Sequence, residues 1–184
     1  MSLTARITPC LVRCSAIVLA ALGCIAASAN SARADFMLGV DLDSVLPLQS
    51  RAEFGGGFAI RLGDQLHVPA VAFTPELAFS YDKFSKAYGP SVYRGVVGAR
   101  LSIGELIRPG VYAHVGFGKY DLDIPGADPS GTAITYDAGL SLDFTLLPLL
   151  NLGVHGSYNV LLGDDEDRER FKWLTLGAHV ELVF

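Results

Sequence analysis

Three cysteines are present, and all of them (Cys10, Cys14 and Cys24) lie within the first 24 residues. Residues 35–184 therefore contain no thiol, which excludes disulfides, thiolate catalysis and cysteine metal sites from that stretch together. Lysine is scarce as well: Lys83, Lys86, Lys119 and Lys172 are the only four. A soluble β-protein of this size would spread Lys and Glu over its exposed faces. The third shortage is of long apolar runs. Although 51% of the chain is hydrophobic, no stretch beyond residue 34 reaches the roughly 20 apolar residues of a membrane-spanning helix. The apolar content must therefore be distributed in some other pattern.

The front end accounts for the cysteines. Arg6 and Arg13 precede an apolar run from Ala16 to Ala29, and Ala32-Arg33-Ala34 follows. A charged start, an apolar middle and an A-x-A site predict a secretory signal peptide over residues 1–34. Ala27-Ser28-Ala29 is a second possible cut. A lipoprotein site at Leu22-Gly23-Cys24 would have Ala21 where Leu is usual. The expected organisation is thus a leader, 1–34, and one domain, 35–184. Because the leader takes three basic residues and no acid, eleven Lys and Arg remain against nineteen Asp and Glu, a net charge of −8. So acidic an exported chain is not expected to bind nucleic acid.

What the domain does contain is alternation. The last fourteen residues, Phe171 to Phe184, read F-K-W-L-T-L-G-A-H-V-E-L-V-F. One parity holds Leu174, Leu176, Ala178, Val180, Leu182 and Phe184; the other holds Thr175, Gly177, His179 and Glu181. Period-two alternation of this kind marks a strand with one apolar and one polar face. Similar segments fall at roughly 36–43, 54–62, 71–81, 91–103, 110–121, 133–146 and 150–161, separated by turn residues, which makes eight.

Sorted by parity, one face of these segments carries aliphatic and aromatic residues with no charge in its central part. Val97, Ala99 and Leu101 are one example; Leu140, Leu142 and Phe144 are another. The opposite face collects Asp41, Arg61, Glu76, Arg94, Arg100, His114, Asp137, Asp143, His155, His179 and Glu181, interspersed with Gly39, Gly98, Gly139 and Gly153. A soluble lipocalin-like barrel would turn the apolar parity inward, whereas an outer-membrane barrel turns it to lipid. Small residues and Arg–carboxylate sets suit a narrow eight-stranded lumen, so lipid outside is the reading adopted. A one-residue register slip would carry Arg61, Arg94 and Arg100 to the lipid face, where each costs about 2–4 kcal/mol at mid-bilayer. The turns 63–70, 104–109 and 147–149 are expected to be periplasmic, and the loops 44–53, 82–90, 122–132 and 162–170 extracellular. Phe54, Tyr81, Tyr93, Tyr136, Phe144, Tyr158 and Trp173 are candidate interface aromatics. Pro75 fits poorly inside a closed barrel, and predicts either a bulge there or a strand starting at Glu76.

With a strand ending His179-Val180-Glu181-Leu182-Val183-Phe184 and repeats such as Val111-Tyr112-Ala113-His114-Val115-Gly116-Phe117-Gly118, the chain resembles the small eight-stranded outer-membrane barrels of the OmpA/OmpX type. The resemblance covers residues 35–184 and implies an all-β, eight-stranded, antiparallel up-and-down transmembrane barrel. It also implies an integral protein of the bacterial outer membrane; unlike the full OmpA architecture, no peptidoglycan-binding domain is expected after the terminal strand. Expected partners are outer-membrane lipid and lipopolysaccharide, and the barrel-assembly machinery through the strand ending at Phe184; the expected state is a monomer.

The polar parity is where chemistry could reside. Buried charges are tolerable only when paired and hydrogen-bonded, so the expectation is a lumen plug. Its members are Asp41, Arg61, Glu76, Arg94, Arg100, Asp137, Asp143, His155, His179 and Glu181. The same residues arranged more loosely would form a narrow gated path for small solutes. His155 and His179, on adjacent strands, could approach each other, but alternation brings inward polar residues together by default; neither a metal nor any other cofactor is expected. His155-Gly156-Ser157 is similar to the His-x-Ser pair of outer-membrane lipid A deacylases. That likeness implies Ser157 as nucleophile, His155 as base and Glu166 or Glu169 as the orienting acid. Here, however, Tyr158 follows the Ser where that family has Asn, and the parity points both residues inward. The acidic run Asp164 to Arg170 reads as a solvated loop tip, with divalent-cation bridging to lipopolysaccharide as the other possibility.

Overall fold

A computed structural model describes residues 33–49, 53–68, 70–85, 90–122, 130–147, 149–162 and 171–184. The predicted leader, apart from its last two residues, and the segment containing Glu166 and Glu169 lie outside the described residues. Eight strands follow in order: β1 (Arg33–Pro47), β2 (Glu53–Val68), β3 (Val71–Ser85), β4 (Pro90–Ile103), β5 (Ile107–Leu122), β6 (Ser130–Leu147), β7 (Leu150–Leu161) and β8 (Phe171–Val183). Each is hydrogen-bonded to its neighbour in sequence, and β8 closes the sheet on β1. The closing seam runs from Met37 opposite Val183 to Pro47 opposite Trp173, without a register shift. No edge strand is left, so no ladder of unpaired N–H and C=O groups faces the surroundings.

The alternation read from the sequence becomes the inside and outside of this cylinder. Leu42 and Leu176 are each 70% exposed in mid-sheet, and Leu140 and Phe117 each 66%. A continuous band of such residues has no place in water; it is the outer surface of a barrel built for hydrocarbon. Phe58, Tyr81 and Tyr93 pack together on the outside near the loop end, and Phe36 and Phe184 near the end holding the terminus. These are the heights at which amphipathic rings favour a membrane–water boundary.

Most strands overrun the predicted segments. β2 continues to Val68 and β5 begins at Ile107, so the turns expected at 63–70 and 104–109 shrink to a few residues. Ala70 (φ 65°) and Gly104 (φ 112°) supply the left-handed backbone of these tight reversals. In consequence Arg108 is not a turn residue: it lies in β5, 5% exposed, opposite Asp143 of β6. Pro75 produces neither a bulge nor a late strand start. β3 runs through it and pairs it with Ala99 of β4, while pairing with β2 lapses between Gly63–Glu76 and Leu66–Phe73 and resumes in the same register. The missing N–H therefore interrupts the ladder locally without shifting the strand.

Trp173 is the other correction. It is fully buried inside the barrel, not placed in an interface belt. With Val45, Phe84, Val92, Ala133 and Leu161 it forms an apolar cluster at the loop end of the interior. These residues sit in the terminal turn of their strands, on the parity that is polar further down. The Arg94 guanidinium lies 5.0 Å from the centre of the Trp173 ring, joining this cap to the charged interior by a cation–π contact.

The orientation of the two faces can be tested at Leu140 of β6, which is central and outward-facing. Leu140→Arg is expected to lower the folding free energy in lipid vesicles by about 2–4 kcal/mol, read from equilibrium denaturant titration. A loss within about 0.5 kcal/mol, ordinary for a solvated surface position, would contradict lipid exposure.

Candidate functional site

The interior below the apolar cap holds a network of hydrogen bonds and ion pairs drawn from all eight strands, its histidine part joined to its arginine part by ion-pair contacts of 3.7 Å. At its centre Arg61 of β2 binds Asp41 of β1 through Nε and Nη2 (2.8–3.0 Å) and Glu181 of β8 through Nη1 (2.9 Å). Arg100 of β4 reaches the same Glu181 at 2.5 Å and Glu76 of β3 at 3.2 Å. His114 of β5 is held between Glu76 (2.9 Å) and Asp137 of β6 (2.7 Å). Arg94 of β4 spans Ser80 (3.0 Å), Asn159 of β7 (2.6 Å), Asp137 (3.3 Å) and Asp82 (3.5 Å). Asp143 of β6 accepts from His179 of β8 at 2.7 Å, and Asp43 of β1 faces His155 of β7 at 2.9 Å.

The partners are often not on adjacent strands, and glycines explain how they meet. Gly98 of β4 stands between Glu76 and His114, with Glu76 on one flanking strand and His114 on the other. Gly177 of β8 stands in the same way between Asp43 and His155, and Gly153 of β7 between His179 and Asp143. A Cβ at Gly177 would run into Asp43 Oδ1 and His155 Cε1; one at Gly153 would meet both His179 and Asp143. An inward glycine on a middle strand thus leaves a window over which side chains of the two flanking strands bond directly.

The structure places Asp41, Arg61, Glu76, Arg94, Arg100, Asp137, Asp143, His155, His179 and Glu181 on the inward face, each within 3.5 Å of a polar side-chain atom of another interior residue. Asp43, Asp82, Tyr112, Arg108 and Asn159 also face the interior, and the signal that could have found them is parity, which each shares with one of those residues. A cavity of about 50 Å³ remains, lined among others by Asp43, Tyr112 and Asn159, room for a few waters at roughly 10–15 Å³ each.

The predicted alternative catalytic pair is not assembled. Both ring nitrogens of His155 are engaged, Nδ1 with His179 Nδ1 (3.1 Å) and Nε2 with Asp43. Ser157 Oγ instead accepts from Asn159 Nδ2 at 3.0 Å. A base must reach the hydroxyl it activates, and both nitrogens of His155 are turned to partners other than Ser157. Glu166 lies outside the described residues.

No protein-family model matches the chain, and no curated protein matches it in sequence. Solved structures do match in shape. Neisserial surface protein A superposes with a TM-score of 0.65 at 18% identity, covering 83% of this chain and 99% of that one. The fold is that of the small eight-stranded outer-membrane barrels. Ail, the attachment invasion locus protein of Yersinia pestis, gives a TM-score of 0.54 at 16% identity, over 82% of this chain and 97% of that one. The outer membrane enzyme PagL gives 0.57 at 15% identity, over 77% and 97%. Surface proteins and an enzyme therefore share this barrel, so the fold does not choose between them.

The network carries its own test. Arg100→Met leaves Glu76 and Glu181 short of a partner, and Glu181→Leu leaves Arg61 and Arg100 short of theirs. Each single change is expected to cost about 3–5 kcal/mol, the range for breaking a buried pair. The double variant should cost less than their sum, because neither residue is left to strand the other. Strict additivity in denaturant titrations would show that the two side chains do not interact.

Proposed function

We propose that this chain is an integral protein of the bacterial outer membrane with a structural or surface-interaction role, its lumen closed to solutes. The observation that carries the reading is the filled interior. Arg61 and Arg100 cross-link carboxylates from β1, β3 and β8 at mid-barrel, and the Trp173 cluster covers the loop end. Eight strands leave width only for side chains to fill, and here the side chains that fill it are bonded to one another. Function then falls to the lipid-facing exterior and the loops. The membrane band supports lipid and lipopolysaccharide as surroundings, and the outward Phe184 at the end of β8 supports recognition by the barrel-assembly machinery. Closure of the sheet on itself supports a monomer. The names of two structural neighbours, a surface protein and an attachment invasion protein, fit a role at the cell surface.

Catalysis on lipid is the reading this geometry disfavours. An acyl chain in the bilayer meets the outward side chains Leu140, Tyr158, Leu174 and Leu176, whereas His155 is buried in the lumen.

Planar-bilayer recording tests the closed lumen. The wild-type barrel is expected to stay at baseline, while a variant with Arg61, Arg100 and Glu181 all replaced by Ser should give small unitary steps. Unitary conductance from the wild-type protein would overturn the proposal. So would a change in the acylation of lipid A, seen by mass spectrometry, in cells expressing it at the surface.

A further inference from the structure

His155 and His179 are placed unlike the other members of the network. Among the described residues, the other side-chain hydrogen bonds of the interior join a donor to an acceptor of opposite character, but these two rings turn like atoms toward each other. Their Nδ1 atoms are 3.1 Å apart, with the rings inclined by 28°. Their far nitrogens are both committed to carboxylates, His155 Nε2 to Asp43 (2.9 Å) and His179 Nε2 to Asp143 (2.7 Å). An imidazole whose Nε2 carries the proton for a carboxylate presents a bare lone pair at Nδ1. Two such lone pairs in contact repel unless something positive lies between them. Asp41 is the third party: it stands opposite His179 across the closing seam, and one of its oxygens lies within 4.8 Å of nitrogens of both rings.

We propose that His155, His179 and Asp41 form a lumenal site for one late first-row divalent metal ion, such as Zn²⁺, Ni²⁺ or Cu²⁺. Two imidazoles and a carboxylate are a donor set these ions favour over Mg²⁺ or Ca²⁺. At metal–nitrogen distances of about 2.0–2.1 Å, tetrahedral ligand nitrogens lie about 3.3–3.4 Å apart, so the Nδ1 pair needs to open only slightly. The outer contacts match as well. Metal-ligating histidines donate their other N–H to a carboxylate, which fixes the ring and raises its basicity; both histidines do so here, each across a glycine window. The adjoining cavity, which Asp41, His155 and His179 help line, has room for a water to complete the coordination. A second grouping, Asp143 with His179 and Glu181, is less suited. It would use the His179 nitrogen already bound to Asp143, and Glu181 is shared by two arginines, whereas Asp41 is clamped by one, Arg61, and its two oxygens keep acceptor capacity for a cation.

The three ligands come from β7, β8 and β1, the strands on either side of the seam where the barrel closes. A bound ion would therefore pin that seam, and its binding should register as resistance to unfolding as well as in a titration. The network around it favours a dication on charge grounds, because interior carboxylates outnumber guanidiniums among the described residues.

The test uses the tag-free, folded mature barrel in detergent, stripped with chelator and titrated with Zn²⁺ or Cu²⁺. Folding of each variant is verified by heat-modifiable mobility on a gel. One equivalent is expected to bind and to raise the urea midpoint. Copper electron paramagnetic resonance should show splitting from two imidazole nitrogens. His155→Gln and His179→Gln should each weaken binding at least about tenfold. Asp143→Asn, which does not touch the ion, should weaken it about 10–100-fold. His67→Gln, remote from the site, should leave affinity unchanged. Absence of saturable one-to-one binding would overturn the proposal, as would full affinity in the His155→Gln/His179→Gln double variant. Should the histidine variants fail to fold, the wild-type copper spectrum decides alone: two nitrogens support the site, none or one removes it.

Discussion

The structure depends on one constraint: ionised side chains turned into a narrow lumen must find partners there, because neither bulk water nor lipid can serve them. Arg61, Arg100, Glu76 and Glu181 meet it by sharing. Each arginine contacts two or more carboxylates, and each of these carboxylates contacts both arginines. Removal of one member strands several others, which makes the core intolerant of single losses even though a fully apolar core of the same shape need not be less stable. The same sharing fixes the register of the strands. A slip of one residue in β4 would both expose Arg100 to lipid and leave Glu76 and Glu181 unmatched.

Glycine is what lets the constraint be satisfied across the barrel. Strand neighbours alone would limit each charge to the residues directly beside it. Windows at Gly98, Gly153 and Gly177 extend the reach to the next strand but one, linking β3 to β5, β6 to β8 and β7 to β1. The low lysine content follows the same logic. Arginine holds two carboxylates at once through a planar fork, whereas a lysine ammonium is a single strongly hydrated point charge.

Much of this was legible in the sequence. Period-two alternation placed all eight strands, and parity alone turned Asp41, Arg61, Glu76, Arg94, Arg100, Asp137, Asp143, His155, His179 and Glu181 inward. Parity gives a side, however, and not a partner. That Arg100 of β4 meets Glu181 of β8, 81 residues away, depends on the shear of the closed barrel, which no single strand encodes. Trp173 was misplaced because an aromatic near a strand end suits an interface belt as well as a lumen cap, although its parity, shared with His179 and Glu181, pointed inward. Pro75 was misjudged for a different reason. Local propensity argued for a break, but pairing on the β4 side held the strand in register through the missing donor.

The central claim is that one parity of every strand touches hydrocarbon while the other fills the lumen. Because residues 35–184 contain no cysteine, single cysteines can be introduced along β4 from Tyr93 to Ile103, spin-labelled, and read in lipid vesicles. Collision with oxygen, which concentrates in the bilayer, should peak at 97, 99 and 101 and fall at 96, 98 and 100. Accessibility without that alternation, or with the opposite parity, would contradict the account.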